Sequence, residues 1–245
     1  MAQTIILIIA GVVPSILWLV FFLSRDCHPE PKKRIAQTFV LGIALAPIAI
    51  AAQWLFVYML KQYAPGFDAS SSPIFFGWAA LVEEVVKLMA VTYVVYQTTD
   101  FDEPVDGMIY MITAALGFAA IENVLKNFDN ISNGAEITFN ILLARTFGST
   151  VLHALSSALL GYFVALSWFV FHHSRKIVWT GIAMASIFHF LFNMLLVTFT
   201  VGRAIFLSEA LLFVMGIFVF ILFAKTRDRS PSQLSTDSVL AKAPV

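Results

Sequence analysis

Long apolar runs alternate with short polar connections along the whole chain. Seven runs stand out, at about 4–23, 35–60, 74–97, 105–126, 146–171, 177–200 and 203–224. Each is about as long as the roughly 20 residues a helix needs to cross a hydrocarbon core of ~30 Å. Backbone surrounded by lipid has to satisfy its own hydrogen bonds, so the runs are read as helices. The pattern predicts an all-α polytopic transmembrane bundle of about seven helices. It forms a single domain over residues 1–224, followed by a disordered cytoplasmic tail at 225–245 rich in Ser, Lys, Arg and Pro. Pro14 and Pro47 fall inside runs and predict kinks. Pro73 and Pro104 fall where a proline suits the first turn of a helix. Residues 127–145 read as a polar loop leading into a short amphipathic helix at 136–145 that runs toward the fifth span. The first run has no basic residue before it and no small-x-small site before Arg25, so it is read as a retained helix rather than a cleaved signal peptide.

Composition agrees: 60% of the residues are hydrophobic and 12% are charged. That balance excludes a soluble domain of this length. Acidic and basic residues cancel, which gives no support for a nucleic-acid partner; the partner that composition implies is the lipid bilayer. The single Cys27 excludes an intrachain disulfide and a cysteine zinc site, leaving His and carboxylate as the residues for any metal. Basic residues cluster at Arg25 to Arg34, at Arg175-Lys176 and in the tail. Seven spans with the N-terminus outside place all of these in the cytoplasm.

Four polar patterns interrupt the apolar runs: Glu83-Glu84-x-x-Lys87, Phe118-x-x-x-Glu122-Asn123, His153-x-x-x-Ser157 and His189-x-x-x-Asn193. An ionisable group inside a bilayer costs roughly 2.5–3.5 kcal/mol, so such groups are expected to work together. With the orientation above, and a rise of 1.5 Å per residue, all four fall in one layer about 6–17 Å below the outer surface. A single buried site requires that coincidence.

Each pattern has a bland and a sharp reading. Glu83 and Glu84 share a helix face with Lys87 and would pair with it. The bland reading is a structural ion pair, which leaves the second Glu unexplained. The sharp reading is a carboxylate that serves as base and then acid. His153 and His189 are either packed core residues or neutral imidazoles that hold zinc. Glu122-Asn123 reads as a solvated helix end, or as a third metal ligand or the group that orients one. Ser157 and Asn193 read as interhelical hydrogen-bonding groups or as partners of the site. Arg145 reads as an interfacial anchor or as a charge within the site, and Phe118 as core packing.

The ordered set Glu83-Glu84-x-x-Lys87, Asp102-Glu103-Pro104-x-Asp106-Gly107, Gly117-Phe118-Ala119-x-x-Glu122-Asn123, Arg145, His153 and His189-x-x-x-Asn193 resembles the PrsW family of intramembrane proteases. The resemblance covers a core at 74–200. It implies a membrane-embedded endopeptidase of the wider group that includes the CAAX prenyl endopeptidases and the Aph-type subunit of gamma-secretase. It further implies a bacterial plasma-membrane location and a single-pass membrane substrate, such as an anti-sigma factor, cut near the outer side of the bilayer. By motif position, the catalytic residues are Glu83, Glu84, His153, His189 and Asn193, supported by Lys87, Glu122, Asn123 and Arg145. Zinc is the expected cofactor, held by His153 and His189 with Glu122 or a glutamate of the first pattern. Two other classes fit the same residues: a non-catalytic scaffold held by a polar network, and a proton-coupled transporter.

Overall fold

In the computed structural model, which describes residues 1–96 and 98–227, the chain forms eight α-helices. They are α1 (Ala2–Leu23), α2 (Lys32–Tyr63), α3 (Pro73–Val94), α4 (Pro104–Asn130), α5 (Ala135–Phe147), α6 (Ser149–Ala165), α7 (Arg175–Thr198) and α8 (Val201–Arg227). No strand occurs among the described residues. Six helical stretches, with α5 and α6 taken together, are long and apolar enough to cross a membrane. The remaining long helix, α3, has 22 residues and carries Glu83, Glu84 and Lys87, all of which it buries inside the bundle. The chain is an integral membrane protein. The tail beyond Arg227 lies outside the described residues, and α8 continues through Lys225 and Thr226 to reach Arg227.

Helix α4 is the axis of the bundle. Every residue from Pro104 to Ala120 is buried, as expected of a helix that is apolar all round. Its neighbours α1, α2 and α6 come close because small residues meet at each crossing. Gly42 of α2 lies against the Ala114 carbonyl, and Gly117 of α4 lies against the Phe39 carbonyl. Gly107 of α4 and Gly161 of α6 face each other's backbone. The Asp102-Glu103-Pro104-x-Asp106-Gly107 motif therefore has a structural role. Asp106 accepts the amides of Asp102 (3.0 Å) and Glu103 (2.7 Å), Pro104 opens the helix, and Gly107 admits α6.

Two boundaries differ from the sequence pattern. Helix α4 runs on to Asn130, which places Glu122 well inside it rather than at a solvated end. The amphipathic helix expected at 136–145 is α5, but it does not run on into the fifth span: the chain turns at Gly148 (φ −89°, ψ −94°) and the span begins as α6 at Ser149. Pro14 and Pro47 sit inside α1 and α2, and Pro73 and Pro104 occupy first turns.

The Gly107–Gly161 crossing is tight enough to test. A Cβ at Gly161 would lie 2.7 Å from Met108 Cα, whereas one at Gly202 on α8 meets nothing. Gly161→Ala is expected to destabilise the protein by about 1–3 kcal/mol and Gly202→Ala by under about 0.5 kcal/mol, read from thermal unfolding in detergent.

Candidate active site

Helices α3, α4, α6 and α7 bring Glu83, Glu84, Lys87, Glu122, His153 and His189 into one cluster beside α2. Adjacent residues on a helix point about 100° apart, so Glu83 and Glu84 meet different neighbours. Glu84 faces α6 and α7 and is fully buried. Its Oε1 accepts from Lys87 Nζ (2.7 Å) and Ser156 Oγ (3.0 Å), and it lies 3.3 Å from His189 Nδ1. Its Oε2 accepts from Ser157 Oγ (2.7 Å). Glu84 is thus a saturated carboxylate. Glu83 turns toward α2, where Gln53 Nε2 donates to its Oε1 (2.9 Å). Its other oxygen, Oε2, is buried and has no hydrogen-bond partner.

The histidine tautomers follow from their neighbours. An ammonium only donates, so Lys87 Nζ, 2.9 Å from His153 Nδ1, makes that nitrogen the acceptor. The proton of neutral His153 then sits on Nε2 and is donated to Glu122 Oε2 (2.8 Å). In the same way, the Glu84 carboxylate beside His189 Nδ1 draws the proton there and leaves Nε2 with its lone pair, 3.5 Å from Glu83 Oε2. His153 Nδ1 is 3.9 Å from the same oxygen. Three electron-rich atoms therefore converge, and donor atoms of Glu83, His153 and His189 lie within 4.8 Å of one another. Lys87 already donates to His153 Nδ1, but Glu83 Oε2 and His189 Nε2 repel unless a cation or a proton lies between them, and two imidazoles with one carboxylate form a donor set suited to zinc. Each imidazole is also held through its far nitrogen by a carboxylate, Glu122 for His153 and Glu84 for His189, as metal-bound histidines usually are.

The remaining sequence candidates take distinct places. Lys87 is fully buried and lies 5.1 Å over the Phe118 ring, so Phe118 carries a charge as well as packing the core. Arg145 belongs to the site: its Nε donates to Asn123 Oδ1 (2.7 Å) and its Nη2 to Glu122 Oε2 (3.0 Å). Asn123 in turn donates to Thr150 Oγ1 (3.0 Å). Glu122 meets the outer nitrogen of His153 and Arg145, and the third residue facing the shared point is Glu83. Asn193 is half-buried one turn past His189 and joins none of these hydrogen bonds among the described residues. Gln53, Ser156 and Thr150 were not singled out by sequence. A Gln in the middle of an apolar helix was the available signal for the first. The serine and threonine gave none, because such residues are ordinary in membrane helices.

A buried carboxylate held at one oxygen and free at the other, next to two oriented imidazoles inside a membrane bundle, is an arrangement suited to hydrolysis within the membrane. The comparisons with known proteins agree. A description of PrsW family intramembrane metalloproteases matches residues 30–224, so the chain belongs to that family of intramembrane peptidases. Protease PrsW of Geobacillus kaustophilus is 32% identical over 194 residues, covering 78% of this chain and 79% of that protein. Protease PrsW of Oceanobacillus iheyensis is 30% identical over 195 residues, covering 78% and 83%. The Bacillus subtilis protein of that name is 28% identical over 185 residues, covering 75% and 79%. No solved structure matches the chain.

The Gln53 contact yields a prediction. Gln53→Leu removes the donor that fixes Glu83, and is expected to lower the cleavage rate by about 10–100-fold without unfolding the protein. Rates in proteoliposomes, compared with thermal unfolding of the same samples, check this.

Proposed function

We propose that the protein is a metal-dependent endopeptidase of a bacterial plasma membrane that cuts a single-pass membrane protein near the outer side of the bilayer. The observation that carries the metal is the unpartnered Glu83 Oε2, facing His189 Nε2 at 3.5 Å and His153 Nδ1 at 3.9 Å. These three atoms would hold the ion, and zinc suits them. The bound ion would supply Lewis-acid polarisation of the peptide carbonyl and an acidified water. Glu122, the other carboxylate considered as third ligand, acts in this reading through the far side of His153. An anti-sigma factor fits the substrate class that the family resemblance implies.

The chain's own residues divide the remaining work. Glu84 stays ionised against Lys87, Ser156 and Ser157 and orients His189. Arg145 and Asn123 fix Glu122, which orients His153. Gln53 holds Glu83 at Oε1, which keeps Oε2 aimed at the place the ion would take; in the metal-free reading below, that same oxygen would take the proton of the attacking water and return it to the leaving amine. Asn193 has an uncommitted amide one turn from His189, suited to the oxyanion that forms on the carbonyl. Burial of Glu83, Glu84, Lys87, His153 and His189 keeps bulk water from these groups, which strengthens the interactions among them.

One observation favours a second reading. Lys87 Nζ already donates to His153 Nδ1, the nitrogen that would bind the ion. A glutamate protease without metal keeps that contact and relies on Glu83 alone. Both readings place Glu83 at the centre.

The purified protein and its Glu83→Gln, His153→Ala and Ser157→Ala variants, assayed on a single-pass substrate in liposomes, test the reading. The first two variants are expected to lose at least about 1000-fold in rate. Ser157→Ala removes one of several bonds to Glu84 and is expected to lose about tenfold. Full activity of folded Glu83→Gln would contradict both readings.

A further inference from the structure

Helix α8 carries one carboxylate within its apolar length, Glu209, and the described residues give it no ion pair or hydrogen bond. The nearby cations are committed elsewhere: Arg145 to Glu122 and Asn123, and Lys126 to Asp129 at 3.5 Å. Its Oε1 approaches the break between α5 and α6, where a Cβ at Gly148 would lie 3.8 Å away. An unpaired carboxylate in a membrane span is costly, and such residues mark the route of a charged partner.

The position of Glu209 ties it to the catalytic cluster. It lies eight residues after Val201, where α8 starts, and His189 lies nine residues before Thr198, where α7 ends. The two helices form a hairpin, so at 1.5 Å per residue both groups sit about 12–14 Å from the same end of the bundle. Glu209 lines a cavity of about 590 Å³ between α5, α7 and α8. The wall of that cavity includes Arg145, which bonds Glu122, and Phe192, the neighbour of Asn193. On its other side Glu209 lines a second cavity, of about 530 Å³, against Trp18 of α1 and Phe213 of α8. Apart from Glu209 and a few other polar groups, the walls of both are apolar.

We propose that this face of α8 receives the transmembrane segment of the substrate, and that Glu209 selects a segment carrying a lysine or arginine at the depth of the catalytic cluster. The proposal rests on the proteolytic reading above and adds a specificity-determining residue to it. Charge complementarity names the partner: the apolar cavities suit a hydrophobic helix, and the lone carboxylate suits one cation on it. Burying the pair neutralises two charges that would each be costly alone in the bilayer.

Binding can be measured apart from cleavage. The full-length chain with Glu83→Gln is reconstituted in phosphatidylcholine vesicles with a fluorescent leucine–alanine helix of about 22 residues. The peptide carries Lys or Gln about eight residues from one end. Energy transfer is expected to show the Lys peptide bound about tenfold more tightly than the Gln peptide. Glu209→Gln is expected to remove that preference, and Glu209→Lys to transfer it to a peptide carrying Glu. Equal binding of the Lys and Gln peptides, or a preference that survives Glu209→Gln, would overturn the proposal. Failure of the wild-type protein to cleave any single-pass substrate would instead count against the proteolytic reading, because the binding comparison does not depend on cleavage.

Discussion

The fully buried ammonium of Lys87 is the interaction on which the cluster depends. It lies 2.7 Å from Glu84 Oε1 and 2.9 Å from His153 Nδ1, with the Phe118 ring beneath it. Taking an ammonium or a carboxylate out of water costs several kcal/mol, and a lone charge here would carry that cost uncompensated. The pair is tolerable because Glu84 gathers further donors from α6 and α7. Those donors bind α3, α6 and α7 at one level, and through His153 and Glu122 the network extends to α4 and α5. Charge compensation and helix assembly are thus one requirement.

The scaffold makes the network possible by keeping α4 buried and central. Glycines at its crossings bring α1, α2 and α6 close, and Ser156 and Ser157 of α6 reach Glu84 of α3. The break at Gly148 lets α5 turn so that Arg145 meets Glu122. The consequence is a division of labour between adjacent carboxylates. Glu84 is consumed by structure, while Glu83 is left with one free oxygen facing two imidazoles. A scaffold protein held by a polar network would have no reason to leave that oxygen unsatisfied, and buried polar atoms without partners are rare.

Much of this was legible in the sequence. Apolar runs of membrane length gave the helices, and the equal depth of Glu83, Glu122, His153 and His189 gave the layer in which they meet. The split between Glu83 and Glu84 was not legible, because it depends on which helix each faces across a 100° rotation. Gln53 was missed because it precedes the first motif and lies on a helix with no other polar pattern. The position of Glu122 was misjudged because the polar run from Lys126 onward resembles a helix end, whereas α4 continues to Asn130. The short amphipathic helix at 136–145 was legible from its pattern, but the turn that parts it from α6 depends on the backbone at Gly148.

The central claim is that Glu83, His153 and His189 form one metal centre. Its most direct test is the zinc content of the purified wild-type protein, measured alongside His153→Ala, His189→Ala and Glu122→Gln under one detergent protocol. The account predicts near-stoichiometric zinc in the wild type and its loss from both histidine variants. Glu122→Gln would keep the metal with affinity weakened by about 10–100-fold, as for an outer partner of His153. Zinc absent from every sample, or retained without His189, would contradict it.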